Sequence, residues 1–154
     1  MKVHVEITDA LQPIGAGVGA VLQVREVLRV LQQHEKRPDD LEKKAVYLAS
    51  KIIELVGMAK GKEALKLAYG QLVSGEARKK MQRIIKAQHG KNPNIKSEEL
   101  ALAPKTKDIL AKKDGTVSVI DMKILNIAAR TLGSPVDLHA GIYLHHKLGE
   151  KVKK

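Results

Sequence analysis

The chain of 154 residues contains no cysteine, no tryptophan and no phenylalanine. The lack of cysteine excludes disulfides, cysteine-ligated zinc, iron–sulfur clusters and thiol nucleophiles. Three tyrosines are the only aromatics, so the core must be built from Leu, Ile, Val and Ala. They also leave almost no ring faces on which single-stranded bases could stack. No apolar run approaches the ~20 residues of a membrane-spanning helix. The opening MKVHVEITDA lacks the long apolar core of a signal peptide. These absences fit a cytoplasmic protein with no membrane partner.

What is present is ordinary globular material: 44% apolar and 29% charged residues, with 12 Gly and 5 Pro. The length suits about one domain able to bury about two-thirds of its unfolded surface. The formal net charge is +11, from 28 basic and 17 acidic residues. Such a surplus suits a solvated lysine-rich surface, nucleic acid or a phosphorylated ligand. It is spread out: ten basic and five acidic residues lie from Lys105 onward, and the rest of the surplus lies before them. Nucleic acid is thereby the weaker reading.

Periodicity outlines the elements. KVHVEIT at 2–8 alternates strictly, which predicts a strand with Val3, Val5 and Ile7 on one face. A glycine-rich loop follows, then a helix over 20–34 with Val21, Val24, Val27, Leu28 and Leu31 on one side. HEKRPDD at 34–40 is a polar break. Asp39 or Asp40 is placed to cap a second helix, striped by Leu41, Ala45, Leu48, Ile52 and Leu55. A third helix is expected over 62–73, with Ala64, Leu65, Ala68 and Leu72 inward. Ser74 opens a fourth, with Ala77, Met81, Ile84 and Ile85 inward and Gly90 as its stop.

Residues 91–104 read as an irregular connector. Two short β-like runs then flank KKDG at 112–115. Asp121 caps a helix to Leu132, a strand is expected at 140–146, and 148–152 reads as a turn entering another strand. The domain boundary predicted from composition separates 1–104 from 105–154. The opening strand has no β partner adjacent in sequence, and the final residues begin another strand. Isolated strands leave backbone groups unsatisfied. The chain is therefore expected to be a piece of a larger protein, unless strand 2–8 joins the late strands in one sheet.

Several residues suggest chemistry. Gly15, Gly17 and Gly19 sit between a strand and a helix, where backbone N–H groups can approach an anion. Their G-x-G-x-G spacing differs from the dinucleotide-binding G-x-G-x-x-G, so a tight structural loop is the better reading. Asp9 ends the first strand and suits either a ligand crevice or an Asx turn. Glu26, on the first helix, suits either an ion pair with Arg29 or one oxygen ligand to a hard cation. His145 and His146 are neighbours in a strand and point to opposite faces, so they cannot chelate one metal together. Glu98 and Glu99 lie in the connector, where a solvated pair or a cap outranks a catalytic dyad.

One resemblance covers essentially the whole chain. Ile7-Thr8-Asp9-Ala10-Leu11-Gln12-Pro13-Ile14-Gly15, then Gly17-Val18-Gly19 and Leu22-Gln23-Val24-Arg25-Glu26, resembles the T-D-x-x-Q-P-[LI]-G-x-x-[IV]-G segment of the pyrimidine nucleoside phosphorylase family. Ser74-Gly75 through Gly90, Gly115-Thr116-Val117 with Ile120-Asp121, and Leu132-Gly133 resemble further motifs in register. So do Ala140-Gly141-Ile142 and Lys147-x-Gly149-Glu150-x-Val152. The branch resembled is that of archaeal AMP phosphorylases and related thymidine phosphorylases.

The resemblance implies an α/β to α+β fold. Residues 1–104 would be one sheet strand and a helical segment ending the central α/β domain. Residues 105–154 would be an incomplete C-terminal α+β domain of hammerhead-like shape. It implies a pentosyltransferase that splits a nucleoside or nucleoside monophosphate with inorganic phosphate. The products are a free base and a ribose or deoxyribose 1-phosphate. The family's phosphate- and base-binding segments precede the T-D-x-x-Q-P motif, so no catalytic or substrate-binding residue carries over and the fragment alone is expected to be inactive. A structural potassium ion carries over onto the carbonyls of Ile14 and Gly17 and the carboxylate of Glu26, with no other cofactor required. Full-length relatives imply a homo-oligomer. The alternative is a non-enzymatic basic module that binds nucleic acid or a phosphorylated ligand.

Overall fold

The computed structural model describes residues 3–154. The described residues form five α-helices and two small sheets, compatible with an α/β or α+β fold. The chain divides into two compact units. One holds the residues up to Ile7 with Glu26–Glu99; the other holds Thr8–Arg25 with Leu100–Lys154. Residues 8–25 thus group with the C-terminal part, whereas composition alone divides the chain at 104.

The first unit is helical. It contains the later turns of α1 (Ala20–Leu31), then α2 (Asp39–Leu55), α3 (Gly61–Val73) and α4 (Glu76–Ala87). A 3-10 turn at Ser97–Glu99 closes it. Its core is aliphatic, as the lack of aromatics requires: Leu28 and Val30 from α1, and Ala64, Ala68 and Leu72 from α3. Ala64, Ala68 and Leu72, at i, i+4 and i+8, form one face of α3, and α3 packs closely against α2. Leu65, expected inward, is exposed, because it lies beside that face rather than on it.

Helix α2 starts after Pro38, whose fixed φ suits a helix entrance; no side chain caps it. Asp39 and Asp40 are instead its first two residues, and their charge favours the positive end of the helix dipole. Ser74, expected to open the fourth helix, is the C-cap of α3. Gly75 at φ 81° turns the chain, and α4 begins at Glu76. The anticipated stripes of α2 and α4 are only partly covered: Ile52 is 63% exposed and Ile84 42%. Val24 of α1 is exposed too. An open apolar groove of about 420 Å³ lies over this unit, between Leu31, Leu41, Ile52, Ile53 and Leu72.

The predicted strand at 2–8 is not formed: residues 3–8 carry no strand, and Lys2 lies outside the described residues. Alternation supplies two faces but no ladder partner. Glu6 is held instead by a side-chain contact, with the Tyr47 hydroxyl donating to its Oε2 at 2.7 Å.

The second unit contains β1 (Gly17–Val18), the first turns of α1, β2 (Gly115–Thr116), α5 (Met122–Thr131), β3 (Ile142–Tyr143) and β4 (Lys151–Val152). β1 pairs antiparallel with β3, Gly17 opposite Tyr143 and Val18 opposite Ile142. β2 pairs antiparallel with β4, Gly115 opposite Val152 and Thr116 opposite Lys151. The strand expected at 140–146 is thus two residues long, and only one of the runs flanking KKDG is a strand. Helix α5 matches expectation: Asp121 caps it, accepting from the N–H groups of Lys123 at 2.9 Å and Ile124 at 3.0 Å. Among the described residues, no helix is long and apolar enough to cross a membrane.

Candidate functional site

The motif-dense loop Asp9–Gly19 belongs to the second unit. Asp9 forms an Asx turn, accepting from Leu11 N–H at 2.8 Å. The glycines of the G-x-G-x-G run serve close approach. A Cβ on Gly19 would lie 2.5 Å from the Ala140 carbonyl, and its φ is 145°. A Cβ on Gly141 would lie 2.4 Å from the Val18 carbonyl. Gly17 is covered by Leu22, whose Cβ would be 2.7 Å from an added Cβ. The first turn of α1 is also engaged: Val21 N–H donates to the Leu138 carbonyl at 3.1 Å. The loop is therefore a backbone crossing between 17–19 and 140–143, which favours the structural reading over an anion cradle.

A second set of contacts joins this loop to the turn Lys147–Glu150. The Lys147 ammonium donates to the Pro13 carbonyl at 2.6 Å and to the Gly15 carbonyl. Leu148 N–H donates to Gln12 Oε1 at 2.9 Å. The turn is closed by Glu150 N–H to the Lys147 carbonyl at 3.0 Å, and by Lys147 N–H to Glu150 Oε2 at 3.1 Å. Leu144 N–H adds a bond to the Ala16 carbonyl at 2.9 Å. Gln12 and Lys147 both lie in motifs quoted above, but no local pattern connects residues 134 positions apart, as Pro13 and Lys147 are.

The three residues expected at a cation divide between the units. Ile14 and Gly17 lie in the loop, with the Ile14 side chain 45% exposed and Gly17 buried. Glu26 is buried on α1 in the helical unit. All the donors are oxygens, the donor type a hard cation takes. Arg29, the alternative partner of Glu26, pairs instead with Glu98: both Nε and Nη2 lie 2.8 Å from its Oε1. Glu98 is therefore engaged in an ion pair, while Glu99 caps the 3-10 turn by accepting from Lys96 N–H at 3.1 Å.

The polar break at 34–40 is organised around buried Glu42. Its Oε2 accepts from Arg37 Nε at 2.6 Å and from Gln33 Nε2 at 2.8 Å. On α4, Lys79, Arg83 and Lys86 line a groove together with Glu76, whose carboxylate pairs with Lys79 at 2.7 Å. Hydrogen bonds from His4 and Tyr47 hold the Glu6 carboxyl below the usual carboxylate range, and that carboxylate raises Tyr47.

Known proteins place this chain. No family model matches it. An AMP phosphorylase of Thermofilum pendens is 41% identical over 154 residues, all of this chain and 29% of the relative. An AMP phosphorylase of Methanosarcina acetivorans is 42% identical over 154 residues, again all of this chain and 30% of the relative. A Bradyrhizobium protein, provisionally named a thymidine phosphorylase, is 41% identical over 152 residues, 99% of this chain and 29% of the relative. The whole chain matches a segment of the pyrimidine nucleoside phosphorylase family. It spans about 30% of the length of these curated relatives.

Proposed function

We propose that the chain is the part of a nucleoside or nucleotide phosphorylase that completes its central domain and begins its C-terminal one. The whole protein transfers the pentosyl group of a nucleoside or nucleoside monophosphate to inorganic phosphate, releasing the base. The observation that carries this reading is an identity of 41–42%, over all of this chain, to a segment of proteins named AMP phosphorylase. The uncovered apolar groove on the helical unit suits a segment that packs against further polypeptide. The positive net charge suits an enzyme whose substrates include phosphate.

In this reading the chain alone is inactive, because residues that hold phosphate and base belong to the remaining length. The potassium ion implied at Ile14, Gly17 and Glu26 is part of the same proposal, as a structural group with no step of its own. The test is release of free base from AMP, thymidine or uridine with inorganic phosphate. The isolated chain gives none; release by it would overturn its assignment as the non-catalytic portion.

The second reading, a basic binding module, draws on the Lys79–Arg83–Lys86 side of α4. It requires nucleic-acid binding that falls steeply with salt. Failure to bind at low salt removes it.

A further inference from the structure

We propose that Lys147 is a positioning residue: its ammonium is the built-in cation that fixes the Gln12–Gly17 loop. The inference stands on the geometry of the second unit and does not depend on the phosphorylase reading.

A loop made of proline and glycines has few ways to satisfy its own carbonyls. Pro13 and Gly15 are buried, and Gly15 has φ 73°. Buried carbonyls left without donors destabilise a fold. Lys147 answers two of them with one charged group, at 2.6 Å for Pro13 and with a second bond to Gly15. Charge-assisted hydrogen bonds are about twice as strong as neutral ones. The lysine is itself held in place, since its N–H donates to Glu150 and its carbonyl accepts from the Glu150 N–H. The next residue completes the clasp through the amide of Gln12. Two distant motifs, Q-P-I-G and K-L-G-E, therefore act as one device: the second motif closes on the first. A surface lysine could be replaced by any polar residue; this one requires both length and charge.

The chain has no cysteine, so Lys147→Cys gives a unique thiol. Alkylation with 2-bromoethylamine in denaturant, before refolding, rebuilds a side chain of lysine length and charge. Amide hydrogen exchange at residues 14–17 is the readout, with residues 61–73 of α3 as internal reference. The proposal predicts exchange in the loop faster by about tenfold or more in K147C. It predicts return to the parent rate after aminoethylation, and little recovery after methylation of the same thiol. Equal exchange in parent and K147C overturns it. So does an aminoethylated protein that fails to recover the loop, or to refold when the parent, treated alike, refolds. If K147C does not fold unmodified, refolding only of the aminoethylated form supports the proposal.

Discussion

Arg29 and Glu98, 69 positions apart, form an ion pair in which one carboxylate oxygen takes both Nε and Nη2 at 2.8 Å. The guanidinium is buried while the carboxylate is half-exposed. This pair and Gln32 tie the middle of the connector to the C-terminal end of α1 and the residue after it: Gln32 accepts from Ser97 N–H at 3.1 Å and donates to the Ile95 carbonyl at 3.0 Å. The connector predicted to be irregular therefore holds one 3-10 turn, at Ser97–Glu99, and is fixed midway along its length by charge and amide chemistry.

Glu98→Ala leaves a buried guanidinium without its carboxylate. The expected loss is about 1–2 kcal/mol, discounted for the exposure of Glu98. Urea unfolding of the parent and variant measures it. A midpoint unchanged by the substitution would show that the pair contributes nothing. Gln32→Leu is expected to release residues 95–97 to faster amide exchange without altering α2 or α3.

The contact between Glu6 and Tyr47 sets a pH window. The Glu6 carboxyl is lowered, first by its hydrogen bond with His4 and then by Tyr47. Its contribution is present above the ordinary glutamate value of about 4.3 and is lost as pH falls through the lowered one. Tyr47 is raised, chiefly by its hydrogen bond to Glu6. Its contribution is present below about 10 and is lost as pH rises through the raised value. Residues 4–7 are therefore expected to stay on α2 at neutral pH and leave it at either extreme. Tyr47→Phe abolishes the alkaline transition, and Glu6→Gln abolishes the acid one. NMR shifts of Val5 and Ile7 across a pH titration report both; transitions that persist in the variants contradict the assignment.

The glycine crossing makes a sharper contrast. Gly141→Ala would press a methyl against the Val18 carbonyl, and Gly19→Ala would press one against the Ala140 carbonyl in a backbone region unfavourable to alanine. Neither backbone can yield cheaply, so each is expected to destabilise the second unit by about 2 kcal/mol or more. Gly115→Ala meets open space and is expected to be near neutral. Thermal unfolding of the three variants checks the order.

Helices were the legible part of this sequence, because a repeat of apolar residues at 3.6 spacing describes one element at a time. All five form close to their expected places, and Asp121 caps where its chemistry says it should. The strand at 2–8 failed for the opposite reason: Val3, Val5 and Ile7 alternate, but pairing depends on a neighbour that alternation does not specify. The stripe of α2 misled similarly, since Leu48 and Ile52 form a coherent face that this chain leaves exposed. In the loop, the motif residues were visible and their partners were not. The reach of Lys147 to Pro13 is a tertiary fact, absent from any local pattern.

If the proposed function holds, this chain exchanges for the matching segment of a nucleoside or nucleotide phosphorylase. The direct measurement replaces the matching 154 residues of the Thermofilum pendens AMP phosphorylase with this chain and assays phosphate-dependent release of adenine from AMP. The expected result is a folded chimera that releases adenine and ribose 1-phosphate, while the isolated chain releases none. A chimera that folds cooperatively yet releases no adenine, thymine or uracil from the corresponding substrates would contradict it.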